Sequence, residues 1–159
     1  MFIDTHCHLY DAFFQDRKRE VEGRALEAGI HTVLLPNINV ASLEALDNVQ
    51  NDFKGLRIGR MIGLHPCYVK EDWQHQLNQI EAHYHENAKS YLAVGEIGMD
   101  LYWDTSTEGI QVEALNRQLD WAVEWDLPVA LHVRNSFKQL FPILEEAQER
   151  HGGKIRGVF

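Results

Sequence analysis

Phe2-Ile3-Asp4-Thr5-His6-Cys7-His8-Leu9 opens the chain with a short apolar run that ends in two histidines. A first strand that served a dinucleotide would be followed by a glycine-rich loop, because only glycine lets the backbone come that close to a pyrophosphate. His6-Cys7-His8 stands there instead. Residues two apart on an extended run leave the same face, so His6 and His8 are expected to point together and Cys7 the other way. Neutral imidazole nitrogen suits a first-row divalent ion. Taken alone, the pair reads equally as the start of a metal site or as two strand-end residues hydrogen-bonded to neighbours.

Five further apolar runs follow: His31 to Pro36, Arg57 to His65, Tyr91 to Gly98, Pro128 to Val133 and Ile155 to Phe159. They recur at about the 30-residue spacing of a βαβ unit. Val33-Leu34-Leu35 and Leu92-Ala93-Val94 are apolar on both faces, as strands of a helix-covered parallel sheet are. Helical periodicity fills most of the gaps. Val21, Ala25 and Leu26 share a face before Gly29, and Ser42 is placed to cap a helix through Leu43 and Leu46. After Thr107, residues Val112, Leu115, Leu119 and Ala122 form one stripe. A last helix is expected after Ser136, kinked or started late by Pro142. The pattern predicts an α/β fold of the TIM type, a single domain over residues 1–159 that holds six of the eight βα strands of a barrel.

A parallel barrel gathers the C-terminal ends of its strands at one mouth, so the residues that end these runs decide where the chemistry lies. The third run ends Leu64-His65-Pro66, the fourth Gly95-Glu96-Ile97-Gly98, and the fifth Leu131-His132-Val133-Arg134. Glu96, after four mostly apolar residues and between glycines, is costly to bury unless a cation or hydrogen bonds compensate it. Metal coordination accounts for it better than a buried salt bridge, given three strand-end histidines. Gly95 and Gly98 either let backbone or substrate approach that carboxylate or simply relieve crowding at the rim. His65 suits a contact to substrate, a ligand, or a group that fixes the Pro66 turn. Arg134, two residues beyond His132, suits either a grip on phosphate or a rim salt bridge. Asp100 is placed to orient a ligand histidine. His31, His75, His83 and His85 are read as bystanders, the last three on a polar, solvated helix. Trp73, Trp121 and Trp125 are read as packing groups, while Trp103 falls in the loop over the mouth.

The composition narrows the class. A net charge of −9 over 159 residues excludes the broad basic face that binds nucleic acid non-specifically, but not a phosphate substrate met by bound ions. No window reaches the ~18 apolar residues of a membrane span, and the first residues have neither the basic region nor the apolar stretch of an export signal. A cytoplasmic protein with Cys7 and Cys67 as free thiols is expected.

Phe2 to Leu9, Gly63-Leu64-His65-Pro66, Ala93-Val94-Gly95-Glu96-Ile97-Gly98-Met99-Asp100, and Leu127-Pro128-Val129-Ala130-Leu131-His132-Val133-Arg134 occur in one order across essentially the whole chain. Together they resemble the TatD-type metal-dependent deoxyribonucleases, a branch of the amidohydrolase-like barrel enzymes. The resemblance implies two divalent ions (Zn, Mg or Mn), His6 and His8 on one, His132 on the other, and Glu96 between them. It implies hydrolysis of DNA or a small phosphoester by metal-activated water. One departure is Tyr10, which stands before Asp11 where the family often places Asp. A larger one is that a further ligand histidine and a late Asp are expected beyond Phe159, so this 159-residue form is expected to be inactive or impaired. The rival expectations are an amidohydrolase acting on esters or amides, such as an aminoacyl ester, and a non-catalytic fragment that self-associates through an open sheet edge.

Overall fold

The computed structural model describes residues 1–159 and contains one six-stranded sheet in the order β1-β2-β3-β4-β5-β6, every neighbouring pair parallel. The strands are β1 (Phe2–Asp4), β2 (Ile30–Pro36), β3 (Arg57–Ile62), β4 (Tyr91–Asp100), β5 (Val129–Arg134) and β6 (Gly157–Val158). The helices are α1 (Lys18–Glu27), α2 (Leu43–Asn48), α3 (Trp73–Asn87), α4 (Glu108–Glu124) and α5 (Phe137–Arg150). Strand order that follows chain order separates a barrel from a doubly wound sheet, whose order reverses at a switch point. Right-handed crossovers that always step the same way put every helix on one side. The architecture is therefore the expected TIM-type arrangement with six strands.

The two faces of the sheet hold different cores. Val33, Leu35, Ile62, Val94 and Val129 are buried on the helix side, packed with Leu46, Leu77, Ile80, Leu115 and Leu119. Alternation along the strands sends Met61 and Ala130 to the opposite face, where they meet Ala93 and Leu34. α3 departs from expectation. The stretch carrying His75, His83 and His85 is amphipathic rather than solvated, with Trp73, Leu77, Ile80 and Tyr84 buried at helical spacing. His75 and His85 lie on its exposed outer face, and His83 is half-buried.

Two local readings are corrected. Ser42 makes no cap hydrogen bond to α2; its hydroxyl donates to Asn37 Oδ1 at 2.7 Å and joins a capping box with Asn39 that precedes the helix. α5 runs unbroken through Pro142 from Phe137, so the proline neither delays its start nor ends it. The Ser136 hydroxyl donates to the Met99 carbonyl and pins the start of α5 to β4 instead of capping it.

β4 and β5 fall out of step at the centre of the sheet. Between Val94 and Ile97 on β4 the partner strand advances only from Val129 to Leu131, so β4 carries one extra residue at Gly95-Glu96. Such a bulge re-aims a side chain and is favoured beside functional sites. The Glu96 N–H leaves the β4–β5 ladder and donates to the Asn37 carbonyl at 3.1 Å. Gly98, two residues beyond Glu96, is glycine for a steric reason. Its φ is +140°, and a Cβ there would stand 2.1 Å from the His132 carbonyl oxygen. Both features preclude a side chain.

Candidate metal centre

His6 and His8 lie on the loop after β1, not on the strand, which ends at Asp4. That corrects the strand-face argument, yet the two rings still converge. His6 Nε2 is 3.0 Å and His8 Nε2 3.7 Å from Glu96 Oε2. Cys7 between them turns to the helix-side core, its N–H donating to the Leu34 carbonyl. On the other side of the carboxylate, Glu96 Oε1 lies 2.9 Å from His132 Nδ1 and 3.6 Å from His65 Nε2. Two groups of donors result, His6-His8-Glu96 and His65-Glu96-His132, and within each group the donor atoms lie inside 4.8 Å of one another. Glu96 belongs to both and is 6 % exposed.

The hydrogen bonds fix which ring nitrogens carry lone pairs. The Tyr10 hydroxyl spends its one proton on the Pro36 carbonyl at 2.6 Å, so at 2.9 Å it accepts from His8 Nδ1–H. His8 is then unprotonated at Nε2, the nitrogen nearest Glu96. His132 lies between two carboxylates, Nε2 2.9 Å from Asp100 Oδ2 and Nδ1 2.9 Å from Glu96 Oε1; protonated it donates to both, and in its neutral form the Asp100 bond keeps the proton on Nε2 and frees Nδ1. A carboxylate holding one face of an imidazole so that the other can bind is the usual support of a metal-ligand histidine. His65 is wired the other way. Its Nδ1 accepts from the Cys67 N–H at 3.1 Å, so Nε2 carries the proton and offers a donor 3.0 Å from His132 Nδ1.

Charge follows the same geometry. Burial works to raise the Glu96 pKa, but hydrogen bonds from His132 and His6 outweigh it and hold the carboxyl well below its ordinary range. The hydrogen bond that His6 donates to Glu96 raises His6, and although burial works to lower His132, its hydrogen bonds to Glu96 and Asp100 raise it. Burial lowers His8, and pushes His65 down to about 4. An ionised carboxylate among imidazoles, of which His6 and His132 would give up a proton to an incoming ion, is a donor set that fits divalent ions.

Arg134 closes β5 and is exposed, but it forms no rim salt bridge; its guanidinium lies over Tyr102, 3.8 Å from the ring centroid. Asp100, 3 % exposed, accepts from the Cys67 thiol at 3.4 Å as well as from His132. His31, His75, His83 and His85 lie outside both donor groups, and His83 Nε2 pairs with Asp47 at 2.9 Å.

The sequence reading missed the supports. Gln118 of α4 accepts from the Leu64 N–H at 2.7 Å, next to His65. Gln111, one heptad earlier, accepts from the Asp100 N–H at 2.8 Å and donates back to the Asp100 carbonyl at 2.9 Å. Both glutamines are buried and hold the mouths of β3 and β4. Their signal was a pair of amides seven residues apart beside an apolar stripe. Asn37 was also missed; it is buried and ties the end of β2 to the Gly63 carbonyl at 2.8 Å.

Comparison with known proteins places these features in a family. The model of the family described as TatD related DNase matches residues 3–159. The uncharacterized metal-dependent hydrolase YjjV of Escherichia coli is 29 % identical over 157 residues, which cover 98 % of this chain and 60 % of the relative. A protein of Klebsiella pneumoniae named 3'-5' ssDNA/RNA exonuclease TatD is 27 % identical, over 99 % of this chain and 58 % of its own length. The crystal structure of the E. coli YjjV protein superposes with a TM-score of 0.83 at 28 % identity, covering 92 % of this chain and 56 % of that one. The chain thus spans about three fifths of the length of the curated relatives it matches. On the family model and on the shared fold, this chain belongs to the TatD-related DNase family of metal-dependent hydrolases.

Proposed function

We propose that His6, His8, Glu96 and His132 are ligands of a centre for two divalent ions that hydrolyses phosphodiester bonds in DNA or a related nucleic acid. The observation that carries this reading is Glu96, a buried, ionised carboxylate whose two oxygens face separate histidine groups. His6 and His8 would hold one ion with Oε2, and His132 the other with Oε1. When bound, such ions supply Lewis-acid polarisation of the phosphoryl group and a lowered pKa for water. The donor set accepts Zn²⁺, Mn²⁺ or Mg²⁺.

The chain's own residues would do the rest. Glu96 keeps the two histidine groups in register. Asp100 holds the His132 ring, and Tyr10 the His8 ring. His65 presents Nε2–H as a donor to a phosphate oxygen, and Arg134 adds a permanent cation at the rim. That one relative is named a single-strand exonuclease favours a nucleic-acid substrate over an aminoacyl ester or cyclic amide. Residues 1–159 would act as one folding unit, and no helix is long and apolar enough to cross a membrane. The exposed edges β1 and β6 offer a route to self-association, which size-exclusion chromatography would detect.

The test is hydrolysis of an end-labelled oligodeoxynucleotide with Mn²⁺ or Mg²⁺, against EDTA. Only weak metal-dependent cleavage is expected of this impaired 159-residue form, and it should fall at least about 100-fold in Glu96→Gln, a loss of the size seen when one electrostatic contributor is removed. Metal-dependent hydrolysis of aminoacyl esters or cyclic amides with none of phosphodiesters would move the bond cleaved to the amidohydrolase class.

A further inference from the structure

The loop after β4 carries two rings that play no part in the metal donor groups. Tyr102 is half exposed and Trp103 is 72 % exposed, and they meet edge to face with centroids 4.8 Å apart. Arg134 reaches across from the end of β5 and lies 3.8 Å from the Tyr102 centroid and 5.1 Å from that of Trp103. A guanidinium held by rings rather than by a carboxylate keeps its donor edge for another anion. Trp73 and Trp121 are buried and Trp125 is stacked between Tyr84 and Trp121, so Trp103 alone among the tryptophans shows its face to solvent.

This group is fastened to the centre. The Tyr102 N–H donates to Asp100 Oδ1 at 3.0 Å, the Leu101 N–H donates to the Arg134 carbonyl at 2.9 Å, and Asp100 Oδ2 holds His132. Rings, guanidinium and the Glu96–His132 pair therefore ride on two adjacent strand ends. A flat exposed indole beside a free guanidinium matches one repeat unit of a nucleic-acid strand, a π-faced base and the phosphate next to it. A base inside a duplex has no free face, so the match requires an unpaired base.

We propose that Trp103, Tyr102 and Arg134 form a nucleobase platform: one unpaired base of the substrate stacks on Trp103 while Arg134 takes the adjoining phosphate and aims the strand at the Glu96–His132 side of the centre. The platform rests on the phosphodiesterase reading of that centre, and the two can fail separately.

The test uses fluorescence anisotropy of labelled dA4 and of a tetrahydrofuran abasic tetramer of equal charge, bound to the chain in EDTA so that no cleavage intervenes. The native chain should bind dA4 about tenfold more tightly than the abasic oligomer, within the ~1–3 kcal/mol that base–aromatic stacking contributes. Trp103→Ala should remove that difference and leave abasic binding unchanged, Trp103→Phe should keep much of it, and Arg134→Gln should weaken both oligomers. Trp103 is exposed, so its loss does not threaten folding. Equal affinities in the native chain, no binding of either oligomer at millimolar concentration, or a base preference untouched by Trp103→Ala would each overturn the platform. Mn²⁺-dependent cleavage of the abasic oligomer, lost in Glu96→Gln, would show the centre standing in such a case. Base-dependent binding by a chain that takes up no Mn²⁺ in competition against a chelating dye would leave the platform and remove the centre.

Discussion

The Tyr10 hydroxyl lies 2.9 Å from Nδ1 of His8 and donates its proton to the Pro36 carbonyl, so it determines which nitrogen of His8 is free. Tyr10→Phe should therefore weaken divalent-ion affinity by roughly 10- to 100-fold, the usual cost of losing a group that orients a ligand histidine. Competition against a chelating dye measures it. Unchanged affinity would show that His8 needs no partner to hold its tautomer.

Ion binding should register in stability. At a free Mn²⁺ or Zn²⁺ concentration of 100 times Kd, a ligand that binds only the folded chain adds about 2.7 kcal/mol. For a chain of this size that corresponds to a rise of roughly 5–10 °C in Tm. Differential scanning fluorimetry should show the rise in the native chain and its loss in His6→Ala/His8→Ala. An equal rise in the double variant would place the ion elsewhere.

Gly98→Ala should destabilise the chain by roughly 3 kcal/mol, since the new methyl meets the His132 carbonyl at 2.1 Å and the backbone sits at φ +140°. Urea denaturation in EDTA separates this from any effect on the ions. The same change at Gly109, where a Cβ meets nothing within 4 Å on helix α4, should be neutral or slightly stabilising.

The two thiols should be slow to alkylate. Burial pushes Cys7 up to about 12 and, with the Asp100 carboxylate beside it, Cys67 up to about 11, against an ordinary value of 9.0. Iodoacetamide at pH 8 should label native Cys67 roughly 100-fold more slowly than the urea-unfolded chain, because the thiolate is the nucleophile. The sign for stability follows. A thiol with a raised folded-state pKa binds its proton more tightly when folded, so its contribution is present at neutral pH and lost as pH rises above 9. Thiol counting with mass spectrometry, in native buffer and in urea, reads the rates directly.

Glu96 and Gln111 mark how far the sequence could be read. Six apolar runs at βα spacing are enough to determine a parallel, helix-covered sheet, because burial on both faces leaves few other ways to satisfy them. Strand C-termini share one mouth in such a sheet, so His65, Glu96, His132 and Arg134 could be assigned to one end before any coordinate was known. The hydrogen-bond partners could not. Tyr10 works through Pro36, 26 residues away, Gln111 through the last residue of β4, and Gln118 through the loop after β3. A buried amide in a helix looks the same in sequence whether it holds a catalytic loop or only itself. The loop position of His6 and His8 also escaped strand periodicity, which stops at Asp4. What the sequence by itself determined is the order of the strands and the kind of residue each delivers, since pattern and spacing are local. Only the tertiary structure decided which oxygen of Glu96 faces which histidine and which ring nitrogen is free, because a single bulge between β4 and β5 and contacts between distant segments set those directions.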